Sequence, residues 1–424
     1  MLSWEYPPKI SGGLGVACEG IAEGLVKQGY EVTVLLPRLH DGQKSKKNLH
    51  LASAAGTIVH REAWTEKVEE IEEFTDLQFG TALLPYLPSF VFLEKENTYT
   101  RKVIREKQVE KITLENIEIT GEYSGLIFSE IYKYALIAKQ KATKEQYDVV
   151  HVHDWVTFKA GQLIQSTTQL PVFYHVHSIE TDRNGHYGNP EVSKIEKESL
   201  VNAKYVISVS ERLRQSVSES YGLSEEKVEV IPNGISHKFK SYDPNKSGRL
   251  GFVGRLTNQK GPANFLDLAQ DLRGRLPNLK FDIVGDGYLM PELRKKVERL
   301  NLMKKVQFHG FLSPQKARKV MGSLDLLFIP SNSEPFGLVI LEAIAMGVPV
   351  ITSPNTGIAE FIPSLPQIEN WDVFGQSKMV NDLLFDEEKR IGVIKKCQEE
   401  ARHLTWDSAA SRLDFLYRGV LDKL

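Results

Sequence analysis

Two cations and two carboxylates in the second half of the chain are spaced to hold an anionic, hydroxylated ligand. Phe252–Val253–Gly254–Arg255 ends a predicted strand, and Lys260–Gly261–Pro262 opens a predicted helix with proline near its first position. A forked guanidinium and a compact ammonium converging at a helix start would clamp a diphosphate; a pair of solvated surface charges is the plainer alternative. Further on, Ser331–Asn332–Ser333–Glu334–Pro335–Phe336–Gly337–Leu338 leads into an apolar helix that carries Glu342 one turn inside. A carboxylate on such a helix needs a partner, because burying a charge is costly. Sugar and ribose hydroxyls would supply partners for Glu334 and Glu342, while the N–H groups of Gly337 and Leu338 would face phosphate. Simple capping with a carboxylate at the rim is the competing reading.

The first half offers glycines and histidines. Ser11–Gly12–Gly13–Leu14–Gly15 follows a very short strand and precedes an amphipathic helix, so its backbone could approach an anion or serve tight strand–helix packing. His151–Val152–His153–Asp154–Trp155 and His175–Val176–His177–Ser178 stand at two strand ends, and alternation puts each histidine pair on one face. A zinc site from these histidines and Asp154 is conceivable, but no His-Glu-x-x-His spacing exists and strand histidines commonly pack in a core or line a cleft. His177 and Asp154 fit better as cleft residues beside a reacting sugar. Gly285–Asp286–Gly287 and His309–Gly310–Phe311 end two more strands and receive no catalytic role.

These positions need strands to carry them. Continuous apolar runs predict strands at Tyr30–Leu36, Val149–His153, Val172–His177, Tyr205–Val209, Val228–Ile231, Leu250–Val253, Lys280–Val284, Lys305–His309, Leu326–Ile329 and Pro349–Thr352. Helical spacing lies between them, as in Val16–Lys27, Ala263–Leu272, Pro291–Leu300 and Leu338–Ala345. Such alternation argues for doubly wound α/β sheets. It is interrupted between about Asp41 and Glu122, a Glu- and Lys-rich stretch read as an elaboration of the first domain. There Phe74, Phe79, Tyr86, Phe90, Phe92 and Tyr99 call for burial. Ile231–Pro232–Asn233–Gly234 and the polar Ser241–Gly248 mark the domain boundary. Ligands of such sheets sit at the carboxyl ends of the strands, so a cleft between two α/β halves is the expected site.

Composition narrows the classes. The 424 residues exceed what one core supports, and 41% hydrophobic residues exclude wholesale disorder. Fifty-three basic against 55 acidic residues, a net charge of −2, provide no field for nucleic acid. Two distant cysteines, Cys18 and Cys397, exclude a disulfide scaffold or an all-cysteine metal site and fit a reducing cytoplasm. No signal peptide or spanning helix is expected, which leaves association with a membrane surface open.

Taken together, these motifs resemble the retaining glycosyltransferases of family 4 with the GT-B fold, and among them glycogen or starch synthase relatives. The resemblance covers nearly the whole chain. It rests on Trp4–Glu5–Tyr6–Pro7–Pro8 with Gly12–Gly13–Leu14–Gly15, His151–Trp155, Val176–His177, Ile231–Gly234, Gly254–Arg255 through Lys260–Gly261, Gly285–Gly287, and Glu334 through Glu342. It implies an α/β architecture of two Rossmann-like, doubly wound parallel-sheet domains facing across a cleft. The first would be an acceptor-side domain over 1–238, joined by a C-terminal helix at 405–424, and the second a nucleotide-sugar domain over 239–404.

The resemblance also implies roles. Arg255 and Lys260 would hold the donor diphosphate and stabilise the leaving group. Glu342 would bind the ribose and Glu334 the transferred hexose, with Phe336, Gly337 and Leu338 beside sugar and phosphate. Gly12, Gly13, Leu14 and Gly15 would approach the phosphates, His177 would lie beside the sugar, and Asp154 near the acceptor. Two features depart from the family pattern: Ile10 separates Lys9 from the glycine loop, and Ser178 follows His177 where relatives carry asparagine. The implied reaction is metal-independent, cofactor-free transfer of a hexose, glucose foremost, from a UDP- or ADP-sugar to a carbohydrate hydroxyl, with α-glucan elongation favoured. Sucrose-phosphate synthase-like or surface-polysaccharide transfer, a GT-B epimerase and a non-catalytic glucan-binding protein are the alternatives.

Overall fold

The computed structural model describes residues 1–10, 12–57, 119–123, 125–185, 188–236 and 248–423, with the backbone of four short strands between 59 and 114. The expected burial of the aromatic residues from Phe74 to Tyr99, the position of Ser11 and most of the polar stretch Ser241–Gly248 lie outside the described residues. Two compact units emerge. One comprises Met1–Ile207, Glu219–Glu229 and Leu413–Leu424, the other Ser208–Ser218 and Val230–Arg412.

In the first unit, helix α1 (Gly13–Lys27) is followed by strands β1 (Val32–Leu36) and β2 (Leu49–Ser53), which pair in parallel. β3 (Val59–Arg61) pairs antiparallel with β6 (Ile112–Leu114), and β4 (Phe74–Asp76) with β5 (Asn97–Tyr99). Then come α2 (Ile127–Lys144), β7 (Val150–His153), α3 (Trp155–Thr167), β8 (Val172–Val176), α4 (Glu180–Asn184), α5 (Pro190–Asn202), β9 (Tyr205–Ser208), α6 (Glu211–Tyr221), most of which clusters with the second unit, and β10 (Val228–Val230). Strands β10-β9-β8-β7 lie side by side, and Leu2 bridges β7 and β1, its N–H donating to the His151 carbonyl at 2.7 Å. The short opening strand is therefore a member of the main sheet. β2 lies inside the stretch from about Asp41 to Glu122, read as an elaboration of the first domain with some strand and helix of its own. Polar His50 and Ser53 leave β2 without a continuous apolar run, as suits an edge strand.

The second unit holds β11 (Arg249–Val253), α7 (Pro262–Arg275), β12 (Lys280–Val284), α8 (Met290–Arg299), β13 (Val306–Gly310), α9 (Pro314–Gly322), β14 (Leu326–Ile329), α10 (Leu338–Ala345), β15 (Val350–Thr352), α11 (Val373–Phe385), α12 (Glu387–Ala401) and α13 (Trp406–Leu421), whose last turns cluster with the first unit. The sheet is wholly parallel in the order β13-β12-β11-β14-β15. Its core is built from Phe252, Phe265, Phe281, Ile283, Leu326 and Phe328, all fully buried. Each such side chain contributes roughly 1.5–3 kcal/mol by leaving water. The strand order reverses at β11. Such a switch point opens a crevice at the carboxyl ends of the two diverging strands, here β11 and β14, and those ends carry Arg255 and Glu334.

Candidate functional site

The loop after β11 is shaped by close backbone approaches. Gly285 (φ +133°) passes Gly254 so tightly that a Cβ would lie 1.9 Å from the Gly254 carbonyl oxygen. The Leu256 N–H donates to the Asp286 carbonyl at 2.9 Å, so the Gly285–Asp286–Gly287 turn supports the arginine loop. Chain direction then reverses in a turn at Asn258–Lys260, and Gly261 in the left-handed region (φ +66°) starts α7. A Cβ on Gly261 would meet the Pro330 carbonyl oxygen at 2.0 Å. Asn332 and Ser333 both donate their N–H to the Gln259 carbonyl, at 2.8 and 3.3 Å.

This tie brings Lys260 to Glu334. The Lys260 ammonium donates to Glu334 Oε2 at 2.7 Å, with side-chain exposures of 17% and 8%. Glu334 sits where the chain bridges Thr356, its N–H bonded to the Asn355 carbonyl at 2.9 Å. Gly337 (φ +110°) then caps α10, whose first-turn N–H groups of Leu338 and Val339 carry the positive end of the helix dipole. Glu342 is partly buried one turn on. Its carboxyl is pushed up by burial, and Arg318 of α9 stands 3.4 Å away as the charged partner that the apolar helix required. The Phe336 ring is buried against Phe361, and its carbonyl accepts from the Ile358 N–H.

The first unit gathers the other predicted residues. Asp154, held at φ +58° and buried, caps the start of α3, and its Oδ1 accepts from the N–H of His177 at 2.7 Å and of Ser178 at 3.4 Å. Burial raises its carboxyl to about 6. Among the glycines, Gly12 borders open space, whereas a Cβ on Gly15 would lie 2.3 Å from Ile10. Gly15 thus serves the packing of α1, and Gly12 is the position with room for a ligand.

The four histidines form two hydrogen-bonded pairs, His151 with His175 and His153 with His177, each at 3.1 Å, and His151 also bonds the Tyr417 hydroxyl. Among the described residues, His151, His153 and His175 are the group whose ring nitrogens come within 4.8 Å of one another. Their rings stack, with His151 and His153 centroids 4.4 Å apart and 17° between planes. In-plane lone pairs of stacked rings do not converge on one ion, and Asp154 is turned to the His177 backbone. The geometry fits packing.

Burial holds His151, His153 and His175 well below the usual histidine pKa and brings His177 down to about 3. Unfolded histidine takes up a proton near pH 6.5, so the stability these residues contribute is complete above that pH and lost as pH falls. Asp154 and Glu196, raised by burial to about 6 and about 7, act with the opposite sign. Near pH 5.5 the histidines prevail, since four unfolded histidines take up protons against two carboxyls that keep theirs in the fold, so stability falls between pH 7 and pH 5.5. Urea unfolding at pH 7 and pH 5.5 measures this; equal or greater stability at pH 5.5 contradicts it.

Sequence reasoning missed the residues that brace the site. Ser210 donates to the Pro335 carbonyl at 2.6 Å, and the Glu360 carboxylate accepts from the N–H groups of Glu211 and Arg212. Behind His177, Arg183 donates to Glu180 Oε2 at 3.0 Å, to Glu196 Oε1 at 2.5 Å, and to the Ser178 carbonyl and hydroxyl at 3.0 and 2.8 Å. The charge-rich Glu180–Asp182–Arg183 run was the only signal, and nothing local shows that it turns inward.

Comparison with known proteins agrees with this arrangement. Residues 235–394 match the model of the family described as glycosyl transferases group 1, and 106–239 that of glycosyltransferase family 4, together well over half the chain. An uncharacterized glycosyltransferase of Methanocaldococcus jannaschii is 28% identical over all of this chain and 98% of its own length. Glycogen synthase of Mycobacterium tuberculosis is 25% identical over 85% of this chain and 79% of its own. Among solved structures, sucrose-phosphate synthase of Thermosynechococcus elongatus superposes with a TM-score of 0.73 at 17% identity, covering 100% of this chain and 99% of the other. With two Rossmann-like domains and both families' motifs in order, the chain belongs to the family 4 glycosyltransferases of the GT-B fold.

Proposed function

We propose that the protein transfers a hexose, glucose foremost, from a UDP- or ADP-sugar to a sugar hydroxyl with retention of configuration. The observation that carries this reading is the Lys260–Glu334 pair, 2.7 Å across, at the switch point of the second sheet and ahead of the α10 N-terminus. An ammonium fixed there suits a diphosphate, and a carboxylate beside it suits the hydroxyls of the attached hexose. Arg255 adds a second cation on the same loop, and Glu342 with Arg318 offers a carboxylate to ribose. On the acceptor side, His177 and Asp154 would contribute from the ends of β7 and β8.

In the reaction the acceptor hydroxyl oxygen bonds to the anomeric carbon as the bond from that carbon to the β-phosphate oxygen breaks. The hydroxyl proton passes to the departing phosphate on the same face. Positive charge developing on the sugar is met by that phosphate, and the negative charge of the diphosphate by Lys260, Arg255 and the α10 dipole. No bound metal is required by this scheme.

Labelled UDP-glucose and ADP-glucose offered with glycogen, with fructose 6-phosphate or with no acceptor test the reading. Acceptor-dependent release of nucleotide with an α-linked product is expected. Equal release of nucleotide and free sugar without any acceptor would favour the epimerase reading, and no turnover of either donor would overturn both.

A further inference from the structure

The first unit contains a cavity of about 270 Å³ that none of the donor-binding residues lines. Its walls come from the segment after the opening strand, with Trp4, Tyr6 and Lys9, from the segment after β1, with Arg38, His40 and Gln43, and from Gly121–Tyr123. Gln43 stitches two of these walls together, donating to the Tyr6 carbonyl at 2.7 Å and accepting from the His40 N–H at 2.8 Å. The Gln43 side-chain amide, bonded to main chain on both sides, therefore holds these two walls together.

Two polar groups on its wall are buried and lack a hydrogen-bond partner among the described residues: the indole Nε1 of Trp4 and the hydroxyl of Tyr6. Buried polar groups are paired as a rule, and each exception calls for a missing partner. The indole N–H only donates, so its partner must present an acceptor oxygen, and a phenol both donates and accepts. An indole N–H and a phenol among the lining residues suit a hydroxylated ring.

Charge narrows the class further. Arg38 is exposed and makes no ion pair among the described residues. Lys9 meets Glu122 only at 3.6 Å, with side-chain exposures of 53% and 63%, a weak surface pair that a ligand can displace. His40 reports the local field: burial lowers its pKa first, and Lys9 and Arg38 then lower it more than Glu122 and Asp41 raise it. The volume is at the small end of ligand sites, room for one sugar-sized ring and not for a chain of them.

We infer that this cavity binds the acceptor, and that the acceptor is a monosaccharide-sized phosphate monoester whose ring lies against Trp4 and Tyr6 and whose phosphate meets Arg38 and Lys9. The acceptor role rests on the glycosyl-transfer reading above; the binding does not.

Calorimetric titration of the full chain without donor tests it, using glucose 6-phosphate, fructose 6-phosphate and inositol 1-phosphate against glucose, inorganic phosphate and maltotetraose. At least one monoester is expected to bind saturably and tenfold or more tighter than its neutral parent. Arg38→Ala, at an exposed position, should weaken that binding about tenfold or more, and Trp4→Phe should weaken it while leaving the salt dependence unchanged. The proposal fails if no monoester binds, if neutral parent or maltotetraose binds as tightly, or if Arg38→Ala has no effect. UDP- or ADP-glucose binding without monoester binding sinks this proposal alone. Monoester binding with no transfer to any acceptor sinks the glycosyl-transfer reading and the acceptor role with it, and leaves the binding site standing.

Discussion

Replacing Lys260 by alanine is expected to lower kcat by roughly 10²–10³, the size of effect seen when one fixed electrostatic stabiliser is removed. The Lys260 ammonium is only 17% exposed and is held at 2.7 Å by Glu334, so it is partly desolvated and already positioned before any charge moves. A preorganised cation of this kind acts on charge that develops in the transition state, so the loss should fall on kcat. Arg255→Ala should cost a similar factor, because both cations leave the carboxyl end of β11 in one loop. Lys260→Ala leaves the Glu334 carboxylate buried without its ammonium, so circular dichroism and the unfolding midpoint must accompany the kinetics. Lys260→Arg restores charge in a different shape and should recover only part of the rate. The test uses whichever donor and acceptor the native protein turns over. Near-native kcat in both alanine variants would remove the clamp from the mechanism, and an effect confined to KM would reduce it to uniform binding.

Much of the scaffold was legible because buried parallel strands are written as continuous apolar runs. Lys280–Val284 and Leu326–Ile329 appear in the structure with the predicted bounds, and the other predicted strands within two residues. Leu49–Ser53 was not legible, since an edge strand with one half-exposed face carries no such run. For the site, the loops after β11 and β14 could be singled out by residue type, but not the pairing of Lys260 with Glu334. That pairing depends on the Gln259 carbonyl receiving two N–H groups from a loop some 70 residues away, and on glycines that let backbones touch. Charged residues on helices were least legible. Arg318 and Glu342 sit on different helices, and periodicity says only that each could face water.

Arg183→Met is expected to destabilise the protein by about 3–5 kcal/mol, the usual cost of removing one partner from a buried ion cluster. The guanidinium and the Glu180 and Glu196 carboxylates are each no more than 2% exposed, and two carboxylates cannot remain ionised there without it. Glu196 has a way out. Burial already raises its carboxyl to about 7, so the variant can protonate it, and the loss should be smaller at pH 6 than at pH 8. Glu180 keeps two polar contacts of its own, from the N–H of Asn189 and the side-chain amide of Asn184. Arg183 also donates to Ser178, whose N–H joins that of His177 on Asp154. Its removal therefore loosens the backbone that sets His177, and turnover should fall along with stability. Replacing the whole cluster separates the two effects. Glu180→Leu, Arg183→Met and Glu196→Leu together should recover much of the stability, since a buried ion cluster exchanged for apolar residues is often neutral or better. They should not recover the rate, because the Ser178 carbonyl and hydroxyl would still lack the guanidinium. A single Arg183→Met variant within about 1 kcal/mol of native stability at pH 8 would show that the cluster does not support the fold, and a triple variant with native turnover would show that it does not position the histidine.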